Sequence, residues 1–151
     1  MKLKIPPIVI VFFTGLLMWG VNHLTREHLS FIFDQQQLMS RVLFGLCIIC
    51  VAAGLYAFYK LKTTVDPMNP DHASNLVTIG IYHFTRNPMY LGMFWMLAAW
   101  GVKLGNPLNF LWLIFFVSYM TRFQIRPEEE ALGEKFGTSY QEYCKKVRRW
   151  I

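Results

Sequence analysis

A chain of 151 residues that is 54% hydrophobic, 17% aromatic and only 16% charged carries more apolar surface than a soluble fold of its size can bury, and far less charge than the about 25% of ordinary soluble domains. Disorder is excluded by the same figures, because it requires low hydrophobicity and high charge, and three cysteines exclude a disulfide scaffold. With a mean hydropathy of +0.32, the composition predicts an all-α integral membrane protein, a polytopic helical bundle forming a single domain over 1–151.

Four stretches free of Asp, Glu, Lys and Arg predict four transmembrane helices at about 5–24, 41–60, 87–103 and 107–122, since a hydrocarbon core of about 30 Å takes roughly 20 helical residues. Lys2 and Lys4 before the first could open a signal peptide, but no small-residue cleavage site follows Trp19, so the segment is expected to be an anchor. The second contains Cys47 and Cys50 within Leu46-Cys47-Ile48-Ile49-Cys50-Val51. An apolar setting suppresses thiolates, so both are expected to be inert thiols, packed or facing lipid.

Residues 62–85 form a long connection with Asp66-Pro67 and Asn69-Pro70 as turn signals; connections of this length are functional or disordered. The third stretch is short, and Arg86 at its start must snorkel. Gly105-Asn106-Pro107 is a tight turn that makes the last two helices a hairpin. In the tail, 123–151, Pro127 suits the first turn of a helix and Glu128, Glu129 and Glu130 favour its dipole. Gly137 can end that helix, and Ser139-x-x-Glu142 can cap the next. Leu132, Phe136, Tyr140, Tyr143 and Val147 give an apolar stripe, so the tail is expected to lie on the membrane as an amphipathic lid of two short helices.

Orientation follows from the basic residues. With the N-terminus inside, twelve of the fifteen lie on the cytoplasmic side, and only Arg26, Arg41 and Lys103 lie outside. Both termini are therefore expected in the cytoplasm, the membrane being the cell's inner membrane. The net charge of +6 is then positive-inside bias with attraction to anionic membrane lipid. Lys145-Lys146-Val147-Arg148-Arg149 adjoins an anchor and is assigned no nucleic-acid role.

Two clusters on the cytoplasmic side could carry chemistry. The first runs from Thr78 to Gly92. Glycines permit close backbone approach, Asn87-Pro88 starts a helix whose N-terminus favours an anion, and Arg86 offers a planar fork to a carboxylate. The same residues, with Tyr82 and Tyr90, would also serve as interfacial anchors. The second places Glu128-Glu129-Glu130 beside Arg122 and Arg126. A carboxylate here could bind a cation or the hydroxyls of a ribose, or could only stabilise a helix start. Three successive acids cannot share one helix face, so at least one should face solvent. No metal-ligand spacing is present.

At these clusters the chain resembles the integral membrane methyltransferases that include isoprenylcysteine carboxyl methyltransferase and the phospholipid N-methyltransferases. Gly80, Tyr82, Arg86, Pro88, Tyr90 and Gly92 match the family's Gly-x-Tyr-x-x-x-Arg-His-Pro-x-Tyr-x-Gly, with Asn87 in place of the histidine. Glu128, Glu129, Leu132, Phe136, Gly137, Tyr140, Tyr143, Val147 and Arg149 match its second motif in order and spacing. The resemblance covers roughly 76–151.

It implies methyl transfer from S-adenosylmethionine to a lipophilic or small membrane-partitioning substrate with a carboxylate, amine or thiol nucleophile, by in-line displacement at the cytoplasmic face. Gly80, Tyr82, Arg86, Asn87, Pro88, Tyr90, Gly92, Glu128 and Glu129 are the implied cofactor-binding residues. Arg86 and the backbone after Pro88 would hold the cofactor carboxylate, and Glu128 or Glu129 its ammonium or ribose. Tyr82 and Tyr90 would pack on the adenine or shape the methyl channel. Arg126 and Arg149 are the candidates for orienting an anionic substrate. Asn87 can replace a histidine that donates a hydrogen bond but not one that removes a proton; His83 is then the nearest substitute, and His72 lies in the same connection. A non-catalytic scaffold that binds lipid or a partner, and a reductase using a nicotinamide cofactor, are the competing expectations.

Overall fold

The computed structural model describes residues 5–61 and 75–151. Lys2, Lys4, His72 and most of the 62–85 connection with its two proline turns lie outside the described residues. Among those described, all regular structure is helical: α1 (Pro7–Thr25), α2 (Gln36–Lys60), a short 3-10 turn (Gly80–His83), α3 (Pro88–Leu104), α4 (Asn109–Met120), a π-helical turn (Thr121–Ile125) and α5 (Arg126–Lys146).

Helices α1 and α2 are long and apolar enough to cross a membrane. Their surfaces suit lipid, since Phe12, Leu16, Phe44 and Ile49 point outward and are exposed. The third and fourth apolar stretches form shorter helices of 17 and 12 residues. Helix α2 begins five residues ahead of the expected 41. Charge marks where a segment leaves an apolar medium but does not stop a helix, and Arg41 is carried within the first turns of α2.

The register of α2 against α3 is antiparallel. Ser40 Oγ donates to the Ala99 carbonyl (2.9 Å) at one end, and Gly54 lies against Pro88 at the other. Midway, a Cβ on Gly92 would come 2.7 Å from Val51 Cγ2 and 3.2 Å from the Cys47 carbonyl. Helices in an apolar medium gain little from burying more carbon, so close approach through small residues is what holds them. Gly92, a candidate cofactor residue, is placed here as a helix-packing residue. Cys47 and Cys50 are buried free thiols on this same face.

Helix α1 runs alongside α3 in the same direction. Trp100 Nε1 donates to the Gly15 carbonyl (3.2 Å), and Met18 packs on Gly101. Met18, Phe116, Met120 and Ile125 are fully buried and form the centre of the core with Tyr90 and Leu97. The expected hairpin turn is present: α3 ends at Gly105 in the left-handed conformation, and Asn106 Oδ1 accepts from Leu108 N–H (3.0 Å).

The tail departs from expectation at its start. No break separates the fourth helix from the tail, because α4, the π-turn and α5 are continuous over 109–146. A proline at 127 has no N–H to donate and its ring crowds the preceding turn. The chain absorbs this by widening, with Arg126 N–H reaching back five residues to the Thr121 carbonyl, the geometry of a π-bulge. The expected division at Gly137 is present: its φ of 53° and ψ of −126° interrupt α5, a conformation open to glycine and strained for other residues.

Candidate functional site

The segment before α3 and the last residues of the chain lie side by side. Arg86 N–H donates to the Arg148 carbonyl (3.0 Å). The Arg149 carbonyl accepts from Asn87 Nδ2 (2.9 Å) and, more weakly, from Thr85 Oγ1 (3.4 Å). Trp150 Nε1 donates to Thr121 Oγ1 (3.0 Å) on the π-turn, and the Tyr143 hydroxyl donates to the Tyr82 carbonyl (2.7 Å). Three sequence-distant pieces thus meet: the entry to α3, the α4–α5 junction and the C-terminal segment.

At their meeting point Glu129 is held between two guanidiniums. Arg86 Nη2 lies 2.6 Å from Oε1. Arg149 engages both oxygens, Nε to Oε1 at 3.0 Å and Nη2 to Oε2 at 2.5 Å. The bidentate fork is the strong form of this contact, and it holds the Arg149 guanidinium above its ordinary range. Arg86 and Glu129 side chains are only 12% and 17% exposed, so the pair is shielded from water. Arg86 Nη1 also donates weakly to the Cys144 carbonyl (3.4 Å).

The three acids separate as their spacing on a helix requires. Glu129 takes the arginines, Glu130 faces solvent, and Glu128 accepts a hydrogen bond from the Tyr90 hydroxyl. Burial pushes the Glu128 carboxyl up to about 8; the neighbouring charge of Glu129 adds to this, while the bond from Tyr90 opposes it. Burial likewise raises the Tyr82, Tyr140 and Tyr143 hydroxyls above their ordinary range, which keeps them neutral donors.

Of the candidate residues, Arg86, Asn87, Tyr90, Glu128, Glu129 and Arg149 come together, and Tyr82 borders them through Tyr143. Pro88 and Asn87 occupy the start of α3, where the free N–H groups of a helix favour an anion. Gly80 takes a positive φ at the exposed edge of the 3-10 turn. Arg126 is exposed and stands outside the Glu129 network, as does His83. Sequence reasoning missed Gln124, which is 3% exposed and sits four residues before Glu128. That spacing is a signal only where the helix is known to run unbroken through Pro127, which the sequence does not show.

The donor set fits a ligand that carries both a carboxylate and a cation or hydroxyls. Two arginines share one carboxylate, leaving a positive charge unbalanced. Arg86 Nε and Gln124 Nε2 are buried without hydrogen-bond partners, and buried polar atoms are rarely left so unless something else completes them. Among the described residues no group of His, Cys, Asp and Glu could hold a metal ion.

Residues 35–139 match the model of the phospholipid methyltransferase family, and the chain belongs to that family. An uncharacterized protein of Haemophilus influenzae is 46% identical over 63 residues, which cover 42% of this chain and all of that protein. Protein-S-isoprenylcysteine O-methyltransferase of Saccharomyces cerevisiae is 40% identical over 77 residues, 51% of this chain and 31% of the yeast protein. A delta(14)-sterol reductase of Mus musculus is 32% identical over 74 residues, 48% of this chain and 18% of the mouse protein. The chain therefore matches under a third of the length of these two characterised relatives. Family and apolar helices together make it a membrane protein.

Proposed function

We propose that the chain transfers a methyl group from S-adenosylmethionine to a lipophilic or small membrane-partitioning acceptor, at the membrane face carrying the Glu129 cluster. The single observation that carries this is the convergence of both family motifs on one shielded carboxylate between two arginines. Topology follows the same reading: four transmembrane segments place the cluster, both termini and the α5 lid on the cytoplasmic side of the inner membrane.

When bound, the cofactor supplies an electrophilic methyl on a sulfonium. Arg86, with the free N–H groups after Pro88, binds its carboxylate, and the unpartnered Arg86 Nε is the donor available for it. Glu129 takes the ammonium, and Glu129 or the neutral Glu128 carboxyl takes the ribose hydroxyls. Tyr90 orients the Glu128 carboxyl, and Tyr82 helps wall the adenine or the methyl channel. Gly80 gives the turn, and Gly92 lets α3 seat against α2, so that the start of α3 stands at the required depth. Asn87 ties the C-terminal segment down by donating to the Arg149 carbonyl. Arg149 then closes the site over Glu129, while exposed Arg126 is left to steer an anionic acceptor. Displacement needs no enzyme nucleophile; the chain contributes alignment and exclusion of water.

Methyl-tritiated S-adenosylmethionine, offered with prenylated cysteine carboxylates, lipid amines and hydrophobic thiols, tests this. Label should enter one acceptor class with wild-type protein, and Arg86→Ala should abolish it. Cofactor binding without transfer to any class would point instead to a non-catalytic scaffold. A second reading is favoured by the sterol reductase relatives: the same cluster would hold a nicotinamide cofactor. Saturable NADPH binding that excludes S-adenosylhomocysteine would establish it.

A further inference from the structure

At the opposite end of the bundle, α1, α2 and α3 enclose an open groove of about 610 Å³, within the range of about 300–1,000 Å³ of small-molecule sites. Its floor is apolar, made by Val11, Gly15 and Leu97. Its rim is not. Trp19, Trp100, Arg41 and Lys103 line it there, with Lys103 Nζ over the Trp100 ring at 5.8 Å to the centroid.

Three features identify the occupant. Two tryptophans lining a lipid-exposed groove, Trp19 and Trp100, suit the headgroup level of a bilayer. Arg41 and Lys103 belong to different helices and both line the groove, and neither is ion-paired among the described residues. The one polar side chain between them, Ser40, has its hydroxyl committed to the Ala99 carbonyl, so the lining offers cations above and hydrocarbon below. On the topology proposed above, they are also two of the three basic residues on the non-cytoplasmic side, where positive charge is otherwise avoided.

We propose that this groove binds an anionic membrane phospholipid, its phosphate between Arg41 and Lys103 and one acyl chain lying along Val11, Gly15 and Leu97. The site lies at the far end of α3 from Arg86, so the lipid is a structural or regulatory ligand rather than the methyl acceptor. The inference rests on α1–α3 lying in lipid and is independent of methyl transfer.

Native mass spectrometry of the full chain in detergent, titrated with phosphatidylglycerol or with phosphatidylcholine of the same acyl chains, tests it. Wild type should prefer phosphatidylglycerol by at least about tenfold. An interfacial cation contributes about fivefold, so Arg41→Gln with Lys103→Gln should lower phosphatidylglycerol affinity by about 25-fold. Lys145→Gln with Lys146→Gln should leave it unchanged. Should the first variant fail to fold, photoactivatable phosphatidylglycerol on wild type should crosslink within 11–19 and 96–103. The proposal is overturned by equal retention of both lipids, by an unchanged preference in the folded Arg41/Lys103 variant, by an equal fall in the Lys145/Lys146 variant, or by crosslinks confined to other segments. Binding of S-adenosylhomocysteine by these variants should match wild type, which separates this site from the Glu129 cluster.

Discussion

Glu129 is the residue on which two arginines depend, and its substitution has consequences that differ from those of its partners. In Glu129→Gln, Arg86 and Arg149 stay close together with no counter-charge. Breaking a fully buried pair costs about 3–5 kcal/mol; with these side chains 17% and 32% exposed at the Arg149 contact, about 2–3 kcal/mol is expected. Arg149→Gln leaves Glu129 its bond to Arg86 and should cost about 1 kcal/mol. Thermal unfolding in detergent should rank wild type above Arg149→Gln, and that above Glu129→Gln.

Glu128 behaves differently because its charge is resisted rather than paired. The folded carboxyl keeps its proton up to about pH 8, whereas an unfolded one releases it near 4.5. The folded chain therefore binds the extra proton, and stability falls as pH rises from about 4.5 to 8. Glu128→Gln removes that dependence. The Tm of the variant relative to wild type should climb between pH 5 and 8, and a flat difference would show that Glu128 ionises normally.

At the scale of elements, the α2–α3 contact is governed by Gly92. A methyl group there meets Val51 and the Cys47 backbone, so Gly92→Ala should cost about 1–3 kcal/mol through overpacking. Adding Val51→Ala should recover most of it, a result read from Tm of the single and double variants. Local punctuation was legible in the sequence: the Gly105-Asn106-Pro107 turn and the Gly137 break depend on backbone preferences that short motifs carry. The union of α4 with α5 was not. Pro127 reads as a helix start whether the chain before it is a loop or a π-turn, and the bond from Arg126 to Thr121 leaves no side-chain signature. Nor did Arg41 reveal that α2 extends to Gln36, since hydropathy locates lipid and not helix ends.

For the whole molecule, the two motifs were legible as one site through the family resemblance, which sets Arg86 and an acid of the second cluster around one cofactor; that Arg86 pairs directly with such an acid was not legible. Which acid was not legible, and neither was the geometry of closure. Asn87 and Thr85 hold the Arg149 carbonyl, and Arg86 N–H holds that of Arg148; backbone acceptors look alike in any sequence. The C-terminal segment thus fastens the entry of α3 to the α4–α5 junction and sets Arg149 over Glu129. Calorimetric titration of S-adenosylhomocysteine into folded, lipid-supplemented protein, well below the unfolding temperature of each variant, tests this arrangement most directly. Micromolar binding in wild type, lost in both Arg86→Ala and Glu129→Gln, is the predicted result. Absence of binding in wild type, or binding unchanged in both variants, would contradict it.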